Sequence, residues 1–305
     1  MTERNGKVVK GLGGLYETRL FDTGERVVSR AKGILRREYE KLLVGDNVKI
    51  SFADSPCGIV ISDILPRKNS LIRPPLANLD YLFIVFAVKK PNPVIETVDK
   101  LVSIAEYNGI TPVIVISKSD LDREQAQQYA KIYTLAGIDT FVTSSLDADG
   151  VDELKAFIKT NIKDGKTSAF SGASGVGKST LMNRIFGNLK LETAEISNKI
   201  ERGRHTTRHV EIFAIEDSVQ TGFLADTPGF SMVDFARFDF FSLEELDGTF
   251  REFAKYKGKC RWADCAHNGE DDCAILNAVK SGEISKSRYE SYRSVYSVLK
   301  NKTDY

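Results

Sequence analysis

The eight residues Gly172, Ala173, Ser174, Gly175, Val176, Gly177, Lys178 and Ser179, flanked by Ser171 and Thr180, satisfy the phosphate-binding pattern G-x-x-x-x-G-K-[ST]. The chemistry explains the spacing. Glycines allow backbone N–H groups to turn toward phosphate oxygens without a Cβ in the way. The helix that should follow offers its N-terminus to the same anion. Lys178 supplies a point charge to the β- and γ-phosphates, and Ser179 can ligate Mg²⁺. The motif follows a predicted strand and opens a predicted helix, the context in which the pattern is informative.

A second acidic turn lies 54 residues further on, where Phe223-Leu-Ala-Asp226-Thr-Pro-Gly229 ends an apolar run. Asp226 is placed to hold Mg²⁺ directly or through water, and the Gly229 N–H to meet a γ-phosphate. The next residue is Phe230, whose apolar ring cannot orient a water by hydrogen bonding. Another side chain must take that role, or hydrolysis is slow. The segment Glu201-Arg-Gly-Arg-His205-Thr206-Thr207-Arg208-His209 offers candidates. Thr206 or Thr207 could ligate Mg²⁺, and His205 has a suitable donor and acceptor inventory.

Base selection belongs elsewhere. Val113–Ile116 leads into Ser117-Lys118-Ser119-Asp120, a turn of the form [N/T/S]-K-x-D. A carboxylate at Asp120 can accept from guanine N1–H and N2–H₂, a donor pair that adenine lacks. Lys118 can lie along the base plane. Phe141-Val-Thr leads into Ser144-Ser145, where a backbone N–H can donate to guanine O6. These base-reading motifs precede the phosphate loop, whereas ordinary GTPases carry them after it. The elements are cyclically rearranged, which a compact domain with neighbouring termini tolerates. One mechanical consequence is that the segment after Gly229 leads straight into the C-terminal part of the chain.

Three cysteines and a histidine form a separate cluster, Cys260-x4-Cys265-x-His267-x5-Cys273. Three thiolates and one imidazole suit a closed tetrahedral Zn²⁺ site without the open position of a catalytic zinc. A reducing compartment disfavours the disulfide alternative. Cys57 stands apart and reads as a small core residue.

The elements that must position these groups fall into three segments. Residues 1–70 carry β-rich runs at Leu15–Leu20, Arg26–Ser29, Asn47–Phe52 and Gly58–Ile64, with glycines punctuating the start. They predict a small barrel or sandwich. Leu65–Leu76, with three prolines, reads as an extended linker. Residues 71–235 alternate strand and helix. Leu82–Val88, Val113–Ile116, Phe141–Thr143, Lys166–Phe170, Val210–Ile215 and Gly222–Ala225 read as strands. Thr97–Tyr107, Asp122–Ala136, Val151–Ile162 and a stretch from Lys178 read as helices. This is the pattern of a mainly parallel sheet covered on both faces. Residues 236–305 contain predicted helices at Ser242–Phe253, Cys273–Ser281 and Lys286–Leu299, flanking the Cys/His cluster.

The 305 residues carry 43 basic and 42 acidic side chains, a net charge of +1. That balance suits a soluble globular protein and excludes collagen, a coiled-coil rod and bulk disorder. The longest apolar run, Tyr81–Val88, is far short of the roughly 18 residues a transmembrane helix needs. MTERNGKVVK has no secretory apolar region, so the expected location is cytoplasmic with no membrane partner. The net charge is +4 over residues 1–70, −3 over 71–235 and zero over 236–305. The first segment therefore tolerates a polyanionic partner.

Taken together, these motifs closely resemble the RsgA family of circularly permuted, ribosome small-subunit-dependent GTPases. The likeness includes Gly33, Val44-Gly45-Asp46, Pro66-Arg67-Lys68-Asn69, the phosphate loop, Gly203-Arg-His205-Thr-Thr207, Asp226-Thr-Pro-Gly-Phe230 and the Cys/His cluster. The resemblance implies a multidomain fold: an all-β OB-fold barrel binding RNA or the ribosome (1–70), a circularly permuted α/β P-loop GTPase domain (71–235) and a small α-helical zinc-binding domain (236–305). It implies GTP hydrolysis to GDP stimulated by the small ribosomal subunit, rRNA binding, and a role in late maturation of that subunit. It makes His205 catalytic. Mg²⁺ would accompany GTP, Zn²⁺ would be structural, and no DNA partner is implied. Nothing in the sequence demands a dimer. Ser117 stands where Asn or Thr is usual, which predicts weaker local bracing but intact guanine selection by Asp120. Ser145 stands where Ala is frequent, a change of little consequence because the backbone makes the contact.

For RNA, the expected contacts are Arg19, Arg26, Arg30, Lys32, Arg36 and Arg37 in the barrel, with Lys255–Lys259 and Arg261-Trp262 near the zinc cluster. Competing readings are a nucleotide-gated RNA-binding switch with negligible turnover, a P-loop kinase or ATPase, and a DNA-binding zinc protein. Asp120 argues against an adenine nucleotide. No recognition-helix pattern accompanies the cysteines.

Overall fold

The first strand, β1 (Thr2–Leu12), is longer than its sequence suggests. Its glycines read as turn residues, yet Gly6 lies mid-strand. A Cβ there would come within 2.6 Å of the Arg19 carbonyl oxygen, so glycine permits a close strand crossing. In this computed structural model the described residues are 2–32, 41–52, 58–72, 74–187, 210–215, 218, 221–226 and 239–302. They divide into two units. One comprises Met1–Leu82, Leu154–Ser171 and Ser179–Phe230; the other comprises Phe83–Glu153, Gly172–Lys178 and Ser231–Tyr305.

In the first unit, β1 pairs with β2 (Leu15–Leu20) and β2 with β3 (Arg26–Ala31). β4 (Asn47–Phe52) pairs with β5 (Ile59–Ile64), β3 pairs with β5, and β4 returns to β1. Five strands thus close a barrel and remove its open edges. Its core is Val8, Leu20, Leu42, Val48, Ile50 and Ile61. The segment read as a linker carries a two-stranded hairpin, β6 (Ser70–Leu71) with β7 (Leu76–Ala77). It is pinned to the barrel by Arg67, which forks onto Asp46 at 2.6 and 2.8 Å.

The chain passes between units within β8 (Tyr81–Ala87). In the second unit β8 is followed by α1 (Ile95–Tyr107), β9 (Thr111–Ser117), α2 (Arg123–Leu135) and β10 (Thr140–Val142). β9 and β10 are parallel. Phe83–Val88 and Val113–Ile116 are almost wholly buried, as unbroken apolar runs require. Asp122 caps α2 by accepting from the Gln125 N–H at 3.0 Å. Helix α3 (Val151–Asn161) returns the chain to the first unit, where β11 (Thr167–Ser171) leads to the phosphate loop. Helix α4 (Lys178–Phe186) follows that loop. β11 runs parallel to β13 (Phe223–Asp226), β13 is antiparallel to β12 (Glu211–Ala214), and β12 joins β1 at Glu211–Lys10.

The C-terminal region corrects one expectation. Ser242–Phe253 is not an α-helix but holds two 3-10 turns, Asp247–Thr249 and Arg251–Tyr256. Gly248 weakens helical propensity there. The Thr249 hydroxyl donates to the Leu246 carbonyl at 2.8 Å, and Phe250 leaves helical backbone between the turns. Two α-helices do form, α5 (Ala274–Ser281) and α6 (Lys286–Lys300). Helix α6 buries Arg288, whose guanidinium meets Asp99 of α1 at 2.9 Å and Glu252 at 2.8 Å. No helix among the described residues is long and apolar enough to cross a membrane.

Candidate nucleotide site and metal centre

β11 is buried along its whole length, so the chain must emerge at Ser171 into a turn. Gly172 passes so close to β8 that a Cβ would lie 2.2 Å from the Val85 carbonyl oxygen. Gly175 and Gly177 have φ of +78° and +87°, a region costly for residues with a Cβ. These glycines shape a loop of Gly172 to Gly177 that delivers Lys178 as the first residue of α4. The Lys178 ammonium folds back to the Gly172 carbonyl at 3.3 Å, across the phosphate cradle. Ala173, Ser174, Ser179 and Thr180 are exposed, whereas Val176 is buried and anchors the loop. Ser171 Oγ is buried without a hydrogen-bond partner, a polar atom left over at the loop's base.

The base-reading turn is bonded directly to this loop. The Ser117 hydroxyl lies 2.6 Å from the Val176 carbonyl oxygen and 3.2 Å from that of Phe86. Its short, buried side chain ties the end of β9 to the phosphate loop. Lys118, held at φ +57°, donates to the Gly175 carbonyl at 2.6 Å and also to that of Lys90. Ser119 is buried, and its N–H reaches the Thr143 carbonyl at 3.2 Å. The exposed Asp120 carboxylate accepts from the Ser144 hydroxyl at 2.8 Å. Ser144 also takes the N–H of Leu146 at 3.2 Å, so the turn bearing Ser145 is fixed to the carboxylate. The phosphate loop, Ser117–Asp120 and Ser144–Ser145 therefore form one hydrogen-bonded line. The Lys90 carbonyl was missed in the sequence; its signal was the Lys89-Lys90-Pro91-Asn92-Pro93 stretch closing a buried strand.

Asp226 ends β13, its backbone paired with Glu211. Cys57, His205, Thr206, Thr207, Gly229 and Phe230 lie outside the described residues.

The second centre is built by the loop between the 3-10 turns and α5. Cys260, Cys265, His267 and Cys273 place their ligand atoms within 4.8 Å of one another. His267 Nδ1 lies 3.5 Å from the sulfurs of Cys260 and Cys265 and 3.4 Å from that of Cys273. Cys260 and Cys273 sulfurs are 4.0 Å apart. A tetrahedral zinc with Zn–S of roughly 2.3 Å and Zn–N of roughly 2.0 Å has S–N edges of roughly 3.6 Å and S–S edges of roughly 3.8 Å. The donor set fits. Burial pushes the Cys265 thiol up to about 12 and raises Cys273, so stable thiolates need a cation among them. Burial lowers His267, which favours the neutral, ligating imidazole. Outer contacts hold the loop. Tyr289 and Tyr292 of α6 donate to the carbonyls of His267 and Ala266 at 2.9 and 2.8 Å, and Glu270 accepts from Ala266 and Asn268 N–H. Sequence reasoning overlooked these tyrosines, although Tyr289-x-x-Tyr292 has the spacing of one helix face.

A closed five-stranded barrel, a phosphate loop joined to a guanine-type turn that precedes it in the chain, and a Cys₃His centre define a circularly permuted P-loop GTPase with a zinc-binding domain. The RsgA GTPase profile matches residues 64–236 and the RsgA N-terminal domain profile residues 5–60. The chain is 38% identical to "Small ribosomal subunit biogenesis GTPase RsgA" of Agathobacter rectalis, over 98% of this chain and 99% of that protein. It is also 38% identical to the protein of that name from Caldanaerobacter subterraneus, over 99% and 98%. Among solved structures it is similar to YjeQ from Thermotoga maritima, with a TM-score of 0.82, 32% identity and coverage of 99% and 100%. It is similar too to YloQ, described as a circularly permuted GTPase, with a TM-score of 0.77, 32% identity and coverage of 100% and 97%. The chain belongs to the RsgA GTPase family.

Proposed function

We infer that this protein is a GTPase of small-ribosomal-subunit biogenesis, hydrolysing GTP to GDP and phosphate under stimulation by that subunit. The observation that carries the guanine assignment is the bonded line from Gly175 and Val176 through Ser117 and Lys118 to Asp120 and Ser144. In this reading Lys178 and the N-terminus of α4 neutralise the phosphates. Asp120, oriented by Ser144, accepts from the guanine edge, and Lys118 lies along the base. The Ser145 backbone N–H donates to guanine O6. Ser179, Asp226 and Thr206 or Thr207 would hold Mg²⁺, which would neutralise phosphate charge. His205 orients the attacking water, a role Phe230 cannot fill. Zn²⁺ on Cys260, Cys265, His267 and Cys273 is structural.

We assign residues 1–70 to an rRNA-contacting barrel, 71–235 to the GTPase domain and 236–305 to the zinc domain, in a cytoplasmic monomer acting late in subunit maturation. Arg30 and Lys32 are exposed on the barrel and support RNA contact. Arg19 does not: it is buried and donates to the Ser218 carbonyl at 3.1 Å, a structural role. Beside the zinc centre, Trp262 is half exposed with the Arg261 guanidinium 5.1 Å from its ring. The test is GTP turnover by the wild type and His205→Ala, with and without purified small subunits. Stimulation of the wild type that the variant loses supports the reading. Absence of stimulation, with analogue binding intact, points instead to a non-hydrolysing switch.

A further inference from the structure

A cavity of about 530 Å³ opens between α3 and α4 and the turn joining β12 to β13. It is not the nucleotide site. The phosphate loop leaves β11 after Ser171, and Asp226 closes β13, whereas the cavity is lined at Gly222, just before β13, and at Arg184–Gly187, the far end of α4. It therefore lies at the opposite ends of the strands from the crevice where α/β sheets bind nucleotides. Its floor is apolar, with Ile158 and Ile162 buried. Its rim is cationic.

Four cations reach it: Lys155, Lys159 and Lys163, spaced four residues apart along and just beyond α3, and Arg184 from α4. All four are exposed, and none has a side-chain ion pair or hydrogen bond with a described residue. Compensation of helix C-termini accounts for one cation per helix end, Lys159 on α3 and Arg184 on α4. It does not account for Lys155 a full turn earlier or for Lys163. Among the described residues of the rim, Asp164 is the one acid, against four cations.

We propose that this cleft binds the phosphate backbone of RNA in the small ribosomal subunit, as a contact surface separate from the barrel and the zinc domain. Lys155 and Lys159, one helical turn and so about 6 Å apart along α3, suit successive phosphates. The apolar floor suits a ribose or base edge. The proposal rests on the subunit being the partner, and the experiment separates the two claims.

The full-length protein loaded with a non-hydrolysable GTP analogue is titrated with purified small subunits at several salt concentrations. Lys159→Ala/Arg184→Ala is compared with Lys131→Ala/Lys286→Ala, which removes the same charge elsewhere. Loss of two phosphate contacts lowers the slope of log K against log[salt] by about 1.5, with weaker binding throughout and basal GTP turnover unchanged. Equal slopes in wild type and cleft variant, or equal losses in both variants, overturn the proposal. Failure of the wild type to bind subunits overturns the partner itself. A cleft variant that loses subunit binding but still binds deproteinised subunit RNA like the wild type indicates an acidic protein partner and refutes the RNA assignment.

Discussion

Lys7 gives the sharpest physical test. It lies on β1 with only 2% of its surface exposed. Its ammonium has one long contact, 3.5 Å to the Gly45 carbonyl, and stands 5.6 Å from the centre of the Phe223 ring. The neighbouring acids are already engaged, Asp46 by Arg67 and Asp80 by Lys68. Burial, aided by the Lys68 charge, lowers Lys7 from 10.5 to about 8. That difference corresponds to about 3 kcal/mol against the charged form. Below pH 8 the amine is charged in both folded and unfolded chains, so the penalty is fully present. Between pH 8 and 10.5 the unfolded chain holds the proton and the folded chain does not, so stability gained at this site rises with pH. Lys7→Met should therefore stabilise the barrel at pH 7 by up to about 3 kcal/mol, less about 1 kcal/mol for the lost polar contacts. The advantage should shrink toward zero near pH 10. Hydrogen exchange of β1 and β4 amides, measured for both proteins from pH 6.5 to 10, reads the difference locally. Other titrating groups cancel between the two. A pH-independent difference, or a variant less stable at pH 7, would refute the reasoning.

Ser117→Ala leaves the buried Val176 carbonyl without its partner, so affinity for a fluorescent GTP analogue should fall about 5- to 30-fold, with Ser117→Thr recovering most of it. Asp120→Ala should reduce the GTP-over-ATP affinity ratio by about 100-fold or more, because the guanine donors lose their acceptor; competition binding measures it. Cys265→Ser should lower zinc content from one per chain, read by elemental analysis, and loosen the carbonyls held by Tyr289 and Tyr292. Arg288→Met strands Asp99 and Glu252 in the interior and should cost about 3–5 kcal/mol in urea unfolding, while Arg288→Met/Asp99→Leu/Glu252→Leu should recover most of that loss.

Local chemistry made much of this protein legible. The apolar runs of β8 and β9 and the Asp122 cap lie where spacing alone puts them. So does the strand–loop–helix around Lys178, because each is decided by residues within one or two turns. The donor set of the metal centre was readable for the same reason: thiolates and imidazole have few other uses at that spacing. What escaped was non-local. Gly6 reads as a turn until Arg19 is known to cross it. Leu65–Leu76 reads as a tether until Asp46 captures Arg67. Ser117 has no visible partner in the sequence until Val176 is placed against it. Arg19 reads as a phosphate contact until burial assigns it to the Ser218 carbonyl. In each case the deciding partner is distant in sequence, and no periodicity records it.

The same distance argument bears on the permuted order. In sequence, the chain runs on from the Asp226 strand into the segment that carries the Cys/His cluster. Within the second unit, the region around the metal centre is tied to α1. Arg288 is wholly buried between Asp99 and Glu252, and Arg251 is held by Glu106 at 2.5 Å and by the Gly137 carbonyl at 2.9 Å. Tyr107 and Glu245 add a rim contact at 3.1 Å, and Ser294 and Glu96 another at 2.8 Å. Pulling a buried guanidinium from its carboxylates costs about 3–5 kcal/mol. That exceeds the 1–3 kcal/mol typical of coupling between sites. A nucleotide-driven motion of the zinc domain would therefore carry α1 with it rather than slide across it. The same unit holds Ser117, Asp120 and Ser144, so the guanine-reading turn and the metal centre belong to one compact unit. Among the described residues, Ser117 at Val176 and Lys118 at Gly175 bond the phosphate loop to the guanine-reading turn.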